Sequence, residues 1–446
     1  MRTPICDFVR SYADSRSVRL HMPGHKGKSF LGFESLDITE IEGADVLYSA
    51  HGMIAESQGN AASLFGTGKT LYSTEGSSLC IRAMVYLCVL SAKKMGRRPL
   101  IAAGRNAHKA FMSAAALSDV EIDWLYPESQ EGVISCEITP QRLESYLSET
   151  AELPAAVYIT SPDYLGNIAD IKGLSRVCRK HGVLLLVDNA HGAYLRFLPH
   201  SFHPIDLGAD MCCDSAHKTL PVLTGGAYLH ISADADAIFA DNAQRAMALF
   251  ASTSPSYLIL QSLDAANAYM ADGYRERLAA FAERAVSVRE RLCLGGYSLA
   301  GDEVLKLTVK TKKYGYRGYE LERLLEKRGF VCEFADADHL VMMLTPETDE
   351  DGLSELERAL MSIEKKPAIT EQMPPVTVPE RVMSVREATF APSEELDVAE
   401  CEGRVLAAAS VSCPPAIPIA VCGERIDRQV MESFLYYGIT RCRVVK

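Results

Sequence analysis

The sequence predicts an α/β protein built on a mostly parallel β-sheet flanked by helices, followed by a smaller α+β domain and a small C-terminal unit. Three observations carry this. From Leu71 to about Ser232, short apolar runs alternate with helical stretches. From Pro255 to about Leu292 the chain is rich in Ala, Leu, Glu and Arg, as expected for one or two long helices leaving a large domain. Lys365 to Pro379 reads KKPAITEQMPPVTVP, a proline-rich linker.

Residues 1–60 are rich in Gly, His and short polar groups and have no clear period, so they read as an irregular arm with short helices. Buried strands are expected at Pro99–Ala103, Ala155–Thr160, Gly182–Asp188, Asp210–Cys213 and Gly226–His230, with helices between several of them. One such helix is Lys172–His181, with Gly182 just past its end. Strands at Leu305–Lys310 and His339–Leu344, with helices at Gly318–Arg328 and Gly352–Ile363, make up the small α+β domain. The expected divisions are an arm over 1–60, a large domain with its linking helix over 61–290, the small domain over 291–365, and linker plus C-terminal unit over 366–446.

A chain of 446 residues exceeds one ordinary core. Its 46 basic and 58 acidic residues give a formal charge of −12, with no run of five like charges, which disfavours nucleic acid and anionic membranes as partners. The thirteen cysteines are scattered and odd in number, which suggests reduced, mostly buried thiols in a cytoplasmic protein. The first twenty residues lack the apolar core of a signal peptide, and no apolar stretch is expected to reach the ~18 residues that span a bilayer.

Four clusters could carry chemistry. Asp214-Ser215-Ala216-His217-Lys218-Thr219 follows an expected strand. Its lysine could form a Schiff base with an aldehyde cofactor while Ser215 and His217 hold an anion; alone, it could equally be a solvated loop lysine. Asp188 closes the apolar run GVLLLVD and is followed by Asn189-Ala190-His191. A carboxylate there sits where parallel sheets bind ligands, or else caps the next turn. Ser73-Thr74-Glu75-Gly76-Ser77-Ser78 opens a long apolar helix, so its free N–H groups could hold a phosphate or simply be capped. His108, after the run PLIAAG, could stack on an aromatic ring or serve a structural role. The segment Gly66-Thr67-Gly68-Lys69-Thr70 imitates a phosphate-binding loop, but Ser63 stands where its first glycine belongs. No zinc-finger or HExxH spacing occurs, so no metal is expected.

In order and spacing, these clusters resemble the bacterial ornithine/lysine/arginine decarboxylases. The resemblance includes His21-Met22-Pro23-Gly24-His25-Lys26-Gly27, Asp37-Ile38-Thr39-Glu40-Ile41, the segment Ala251 to Tyr257, and Cys413-Pro414-Pro415-Ala416-Ile417-Pro418. It implies a fold-type I pyridoxal-phosphate enzyme with a seven-stranded, mostly parallel large sheet. It further implies that Lys218 carries pyridoxal 5'-phosphate as a Schiff base and that Asp188 pairs with the pyridine nitrogen. His108 and Ala190 would flank the ring, and Ser77, Ser78, Ser215 and His217 would hold the phosphate. Thr253 or Ser254 would reach a partner subunit's phosphate. Lys218, His191 or His217 would return a proton to Cα after carbon dioxide leaves.

The expected substrate is a basic amino acid, with Glu424 and Asp163 as acidic candidates for its far end by residue type only. The chain begins close to the PGHKG arm, as in the short forms of the family, so a homodimer is expected. It departs from the family at Glu75, Cys80, Asn189, Cys413, Ala416 and Cys422. Those departures leave open another pyridoxal-phosphate reaction, or a cofactor-binding protein of low turnover.

Overall fold

The computed structural model describes residues 1–127, 136–348, 350–375, 378–412 and 418–446. Its centre is a seven-stranded sheet in the order β1-β7-β6-β5-β4-β2-β3. The strands are β1 Lys69–Ser73, β2 Leu100–Gly104, β3 Glu121–Leu125, β4 Ala156–Thr160, β5 Leu184–Asp188, β6 Met211–Asp214 and β7 Ala227–Ile231. Strands β2 to β6 run parallel, while β7 is antiparallel to both β6 and β1.

All five strands expected in this region form, with ends shifted by a residue or two. Two strands were not foreseen. In β1, Thr70 and Tyr72 are polar-tipped yet buried because His230, Ser57 and Asn267 satisfy them. In β3, the edge strand EIDWL is only half-buried and gives no continuous apolar run.

Side-chain alternation divides the sheet between two cores. Tyr158, Leu186, Met211 and Cys213 pack with helices α3 (Gly76–Lys94), α4 (Lys109–Ser118) and α8 (Ala237–Phe250). Val157, Leu185, Val187 and Cys212 pack with helices α5 (Pro140–Glu149) and α6 (Ile171–His181). Before these, α1 (Pro4–Asp14) and α2 (Met53–Phe65) are the helices of the N-terminal arm, and a single turn α7 (Ala216–Thr219) carries Lys218. Helix α6 starts one residue earlier than expected because the Asp170 carboxylate caps the Gly173 amide at 2.8 Å. It stops at Gly182, whose φ of +63° is left-handed.

One expectation is corrected. Helix α3, at 19 residues, is long and apolar enough by length and composition to cross a membrane, contrary to the sequence reading. Its apolar faces are buried instead against the sheet and against α4 and α8, which accounts for the composition.

Helices α9 (Tyr257–Ala271) and α10 (Tyr274–Leu294) lead into a four-stranded sheet of β8 Leu299–Ala300, β9 Lys306–Lys310, β10 Phe334–Ala335 and β11 His339–Met343. It is covered by α11 (Gly318–Glu326) and α12 (Glu350–Met361), as the sequence predicts. The C-terminal strands form two two-stranded ribbons. Buried side chains of the C-terminal residues, such as Val385, Cys422, Leu406 and Ile419, join the two cores of the large sheet. Cys413 and Ala416 lie outside the described residues.

One tie between C-terminal residues and the large sheet is ionic. Arg105, immediately after β2, meets Glu424 in a bidentate pair with both N···O distances at 2.7 Å and both side chains almost inaccessible. The guanidinium also lies over the rings of Trp124 and Tyr126. Truncating one partner strands a buried charge, which costs about 3–5 kcal/mol. Glu424→Ala should lower the unfolding free energy by that amount in a denaturant titration. The double replacement Arg105→Met with Glu424→Leu should recover most of it; equal losses in both would show that the charge pairing is unimportant.

Candidate active site

The C-terminal ends of the parallel strands open onto a cavity of about 350 Å³. Its wall collects residues from distant parts of the chain: Ser77 and Ser78 from the first turn of α3, His108 before α4, Asp188 at the end of β5 and Ala190 just past it, then His191, Ser215, His217 and Lys218. Nine of the eleven site residues expected from sequence therefore share one cavity. Thr253 and Ser254 do not line it; both are exposed in the segment before α9.

Asp188 is 2% exposed. Its carboxylate accepts hydrogen bonds from the Tyr158 hydroxyl at 3.1 Å and the Ala190 amide at 3.2 Å, and the Cys213 thiol lies 3.6 Å away. These donors are all neutral. A buried anion so held needs a positive charge from within the cavity.

The Lys218 amine is 3.0 Å from His191 Nε2. Burial lowers the proton affinity of Lys218, and Asp188 opposes that shift. Burial, with the nearby charges of Lys306 and Lys218, drives His191 well below its ordinary range, so its neutral ring accepts a hydrogen bond from the amine. His191 is further fixed by the edge of Tyr164, with ring centroids 5.4 Å apart.

His108 Nδ1 accepts the Ala110 amide at 3.2 Å, which leaves the proton of the neutral ring on Nε2. The ring is open to the cavity yet surrounded by protein, and this desolvation lowers its proton affinity. His217 is lowered by the same cause, and its Nδ1 lies 2.9 Å from the Gly226 carbonyl.

At the other end of the cavity, the Ser215 hydroxyl donates to Ser77 at 2.8 Å beside the N-terminus of α3. The Gly76 amide donates to the Gly225 carbonyl at 2.7 Å. Gly225 has φ +100°, and a Cβ there would stand 2.9 Å from the Thr74 carbonyl, so only glycine allows these rims to meet. The Glu75 carboxylate accepts the Ser252 amide at 2.7 Å.

These residues fit pyridoxal phosphate. A primary amine of lowered basicity, a desolvated carboxylate, and hydroxyls at a helix N-terminus suit its aldehyde, ring nitrogen and phosphate respectively.

Both acidic residues picked by type are engaged elsewhere. Glu424 is locked to Arg105, and Asp163 lines the cavity but accepts the Leu165 and Asn167 amides at 2.9 Å and Asn167 Nδ2 at 2.7 Å. Sequence reasoning missed Tyr158, Tyr164 and Glu333. Tyr164 follows β4 at the same sheet end as the recognised loops, which was the available signal. Glu333 comes from the small sheet's side, and its carboxylate accepts the Tyr164 hydroxyl at 3.1 Å.

In the cofactor-free protein, the lowered proton affinity leaves Lys218 neutral at a pH where exposed lysines are still charged. Competitive labelling with acetic anhydride should therefore give Lys218 a midpoint below the ordinary lysine range. Asp188→Asn, which removes the anion that raises it, should move that midpoint lower still. A midpoint at or above that of exposed lysines would contradict the geometry.

Comparison with known proteins agrees with this arrangement. Residues 3–307 match the family model for the Orn/Lys/Arg decarboxylase major domain. The arginine decarboxylase of Bacillus subtilis is 30% identical, over 96% of this chain and 92% of its own length. That of Halalkalibacterium halodurans is 30% identical, over 98% of this chain and 92% of its own. Among solved structures, the lysine decarboxylase of Francisella novicida superposes with a TM-score of 0.80 over 100% of this chain and 81% of its own, at 15% identity, so it attests to the shared fold. The chain belongs to the Orn/Lys/Arg decarboxylase family.

Proposed function

We propose that the protein is a pyridoxal-phosphate-dependent decarboxylase of a basic amino acid, releasing carbon dioxide and the corresponding polyamine precursor. The observation that carries the reading is that Lys218 and the buried Asp188 face one cavity at the C-terminal edge of the sheet. Arginine is the first substrate to test, since the Bacillus subtilis and Halalkalibacterium halodurans relatives, matched over nearly their whole length, are arginine decarboxylases.

When bound, the cofactor supplies an electron sink for the pair left behind by the departing carboxylate. Lys218 offers a neutral amine to its aldehyde. Asp188, held by Tyr158 and the Ala190 amide, faces the ring nitrogen and favours its protonated form. The first turn of α3 with Ser77, Ser78, Ser215 and His217 holds the phosphate. His108 and Ala190 flank the ring. The contact between Lys218 and His191 places a proton carrier beside the reacting carbon, and these two residues, with His217, are the groups that return a proton to Cα.

The far end of a basic substrate needs an anion. Glu333 meets this need: it bonds the hydroxyl of the cavity residue Tyr164 and is close enough to raise the proton affinity of Lys218. The exposed apolar side chains Val18, Leu20, Phe30 and Leu31 of the arm support a homodimer, in which Thr253 and Ser254 reach a partner's phosphate. A cytoplasmic location accords with the free thiols of the described cysteines.

Purified protein loaded with cofactor should release carbon dioxide from arginine, lysine or ornithine. Borohydride should fix the cofactor to Lys218, as read by peptide mass. Lys218→Ala should lower kcat by roughly 10³-fold or more, and Glu333→Gln should raise KM about tenfold with a smaller change in kcat. Trapping at Lys218 without release from any of the three amino acids would overturn the substrate class. Trapping at another lysine would overturn the site.

A further inference from the structure

One buried lysine has no part in the chemistry described above. Lys306, on β9 of the small sheet, and Glu303, just before that strand, are each 1% exposed. Lys306 Nζ is 2.8 Å from Glu303 Oε2 and donates to the Asp163 carbonyl at 3.1 Å. Stability alone gives little reason for such a pair, since apolar side chains of similar volume usually serve as well or better.

The surroundings of Lys306 supply a reason. The small sheet grips one side of the loop after β4. Besides Lys306, the Thr308 hydroxyl donates to the Leu165 carbonyl at 2.9 Å, and the Asp302 and Glu303 amides both donate to the Gly166 carbonyl at 2.8 Å. The same loop presents Tyr164 to the cavity. The Tyr164 ring centre lies 5.9 Å from Lys306 Nζ and, edge to face, 5.4 Å from that of His191, whose Nε2 is 3.0 Å from the Lys218 amine. A chain of contacts therefore runs from Lys306 through Tyr164 and His191 to Lys218.

We propose that Lys306 is a positioning residue of the site: from the small sheet it holds the Tyr164 loop against His191, and its ammonium opposes a positive charge on the His191–Lys218 contact. The inference rests on Lys218 being the reactive amine of the proposed site. The two spans across Tyr164 put the ammonium within roughly 11 Å of the His191 ring, a distance over which a charge inside protein is little screened by salt.

The other ionisable groups around the contact do not duplicate this effect. Burial is the largest influence on both Lys218 and His191. Asp188 at the end of β5, Glu333 before β10 and Cys213 on β6 all favour a proton on Lys218. His108 and His217 disfavour one on His191, as Lys306 does, but burial holds both imidazoles below their ordinary range. Lys306 thus supplies the persistent cation. Around it, Arg289 of α10 donates to the Lys306 backbone carbonyl at 2.6 Å, and Glu303 faces Tyr194 as well as Lys306.

The test is the pH midpoint for acetic anhydride labelling of Lys218 in the full-length chain stripped of cofactor. Lys306→Met combined with Glu303→Gln removes the ammonium without stranding the carboxylate, and should raise that midpoint by roughly half to one unit. Thr308→Val cuts an uncharged tie to the same loop and should leave the midpoint in place. Glu303→Gln alone keeps the ammonium and removes its counter-charge, so the midpoint should fall; this variant carries the test if the double replacement does not fold. A folded double variant with the wild-type midpoint would overturn the proposal. So would an equal rise in Thr308→Val, which would trace the effect to a loosened loop, or a rise in Glu303→Gln. No arm depends on turnover. A chain that releases no carbon dioxide, yet whose Lys218 midpoint follows these charges, would sink the decarboxylase reading and leave this inference standing.

Discussion

The carboxylate of Asp188 is the constraint around which the rest of the large sheet is arranged. A charge removed from water costs several kcal/mol unless the surroundings replace its hydration. Here the replacement comes from three neighbouring strands. Asp188 ends β5, Cys213 stands opposite it on β6, and Tyr158 reaches it from β4. These contacts exist only in the observed register. A slip by one residue would turn Asp188 toward the core of α5 and α6 and expose its neighbours to the wrong layer. The alternating burial of Leu185, Leu186 and Val187 between two apolar cores fixes that register, so the packing of ordinary aliphatic residues is what aims this carboxylate.

Crowded cations set the second condition. Burial lowers the proton affinities of Lys218, His108, His191 and His217, and neighbouring cations add to it: Lys306 acts on Lys218 and His191, and Lys218 acts on all three histidines. The molecule separates them by role. Lys306 is neutralised by Glu303 at 2.8 Å and anchored to the Asp163 carbonyl at 3.1 Å, which fastens the small sheet to the loop after β4. His191, kept neutral, can serve Lys218 as a hydrogen-bond acceptor. A free-base amine and a neutral imidazole side by side are what proton exchange at a nearby carbon requires.

How legible the protein was follows from these same forces. Strands β2, β4, β5, β6 and β7 were readable because burial on both faces gives continuous apolar runs. Strands β1 and β3 were not, because one hides polar tips in long-range hydrogen bonds and the other is a half-buried edge. Lys218 and Asp188 could be singled out because each follows or closes an apolar run in a parallel sheet, and their motifs carried the family resemblance. Glu333 and Tyr158 had no such mark, since their importance arises from contacts across more than twenty residues of sequence or between two sheets. Glu424 shows the opposite error. Residue type suggested a substrate anchor, whereas full burial against Arg105 makes it a structural clamp.

The departures from the family pattern at positions 75 and 189 acquire partners in the fold. Asn189 turns away from the cavity to hold Asp214, joining the β5 and β6 ends from behind. Glu75 turns its carboxylate to the Ser252 amide and so ties the start of α3 to the segment preceding α9. The electrostatic consequence at Glu75 is direct. A helix N-terminus offers an anion roughly half a positive charge, and a carboxylate at the N-cap opposes much of it. In the proposed site, phosphate binding would therefore rest less on the helix dipole and more on the hydroxyls of Ser77, Ser78 and Ser215 and on His217, groups whose hydrogen bonds survive where the field is weak.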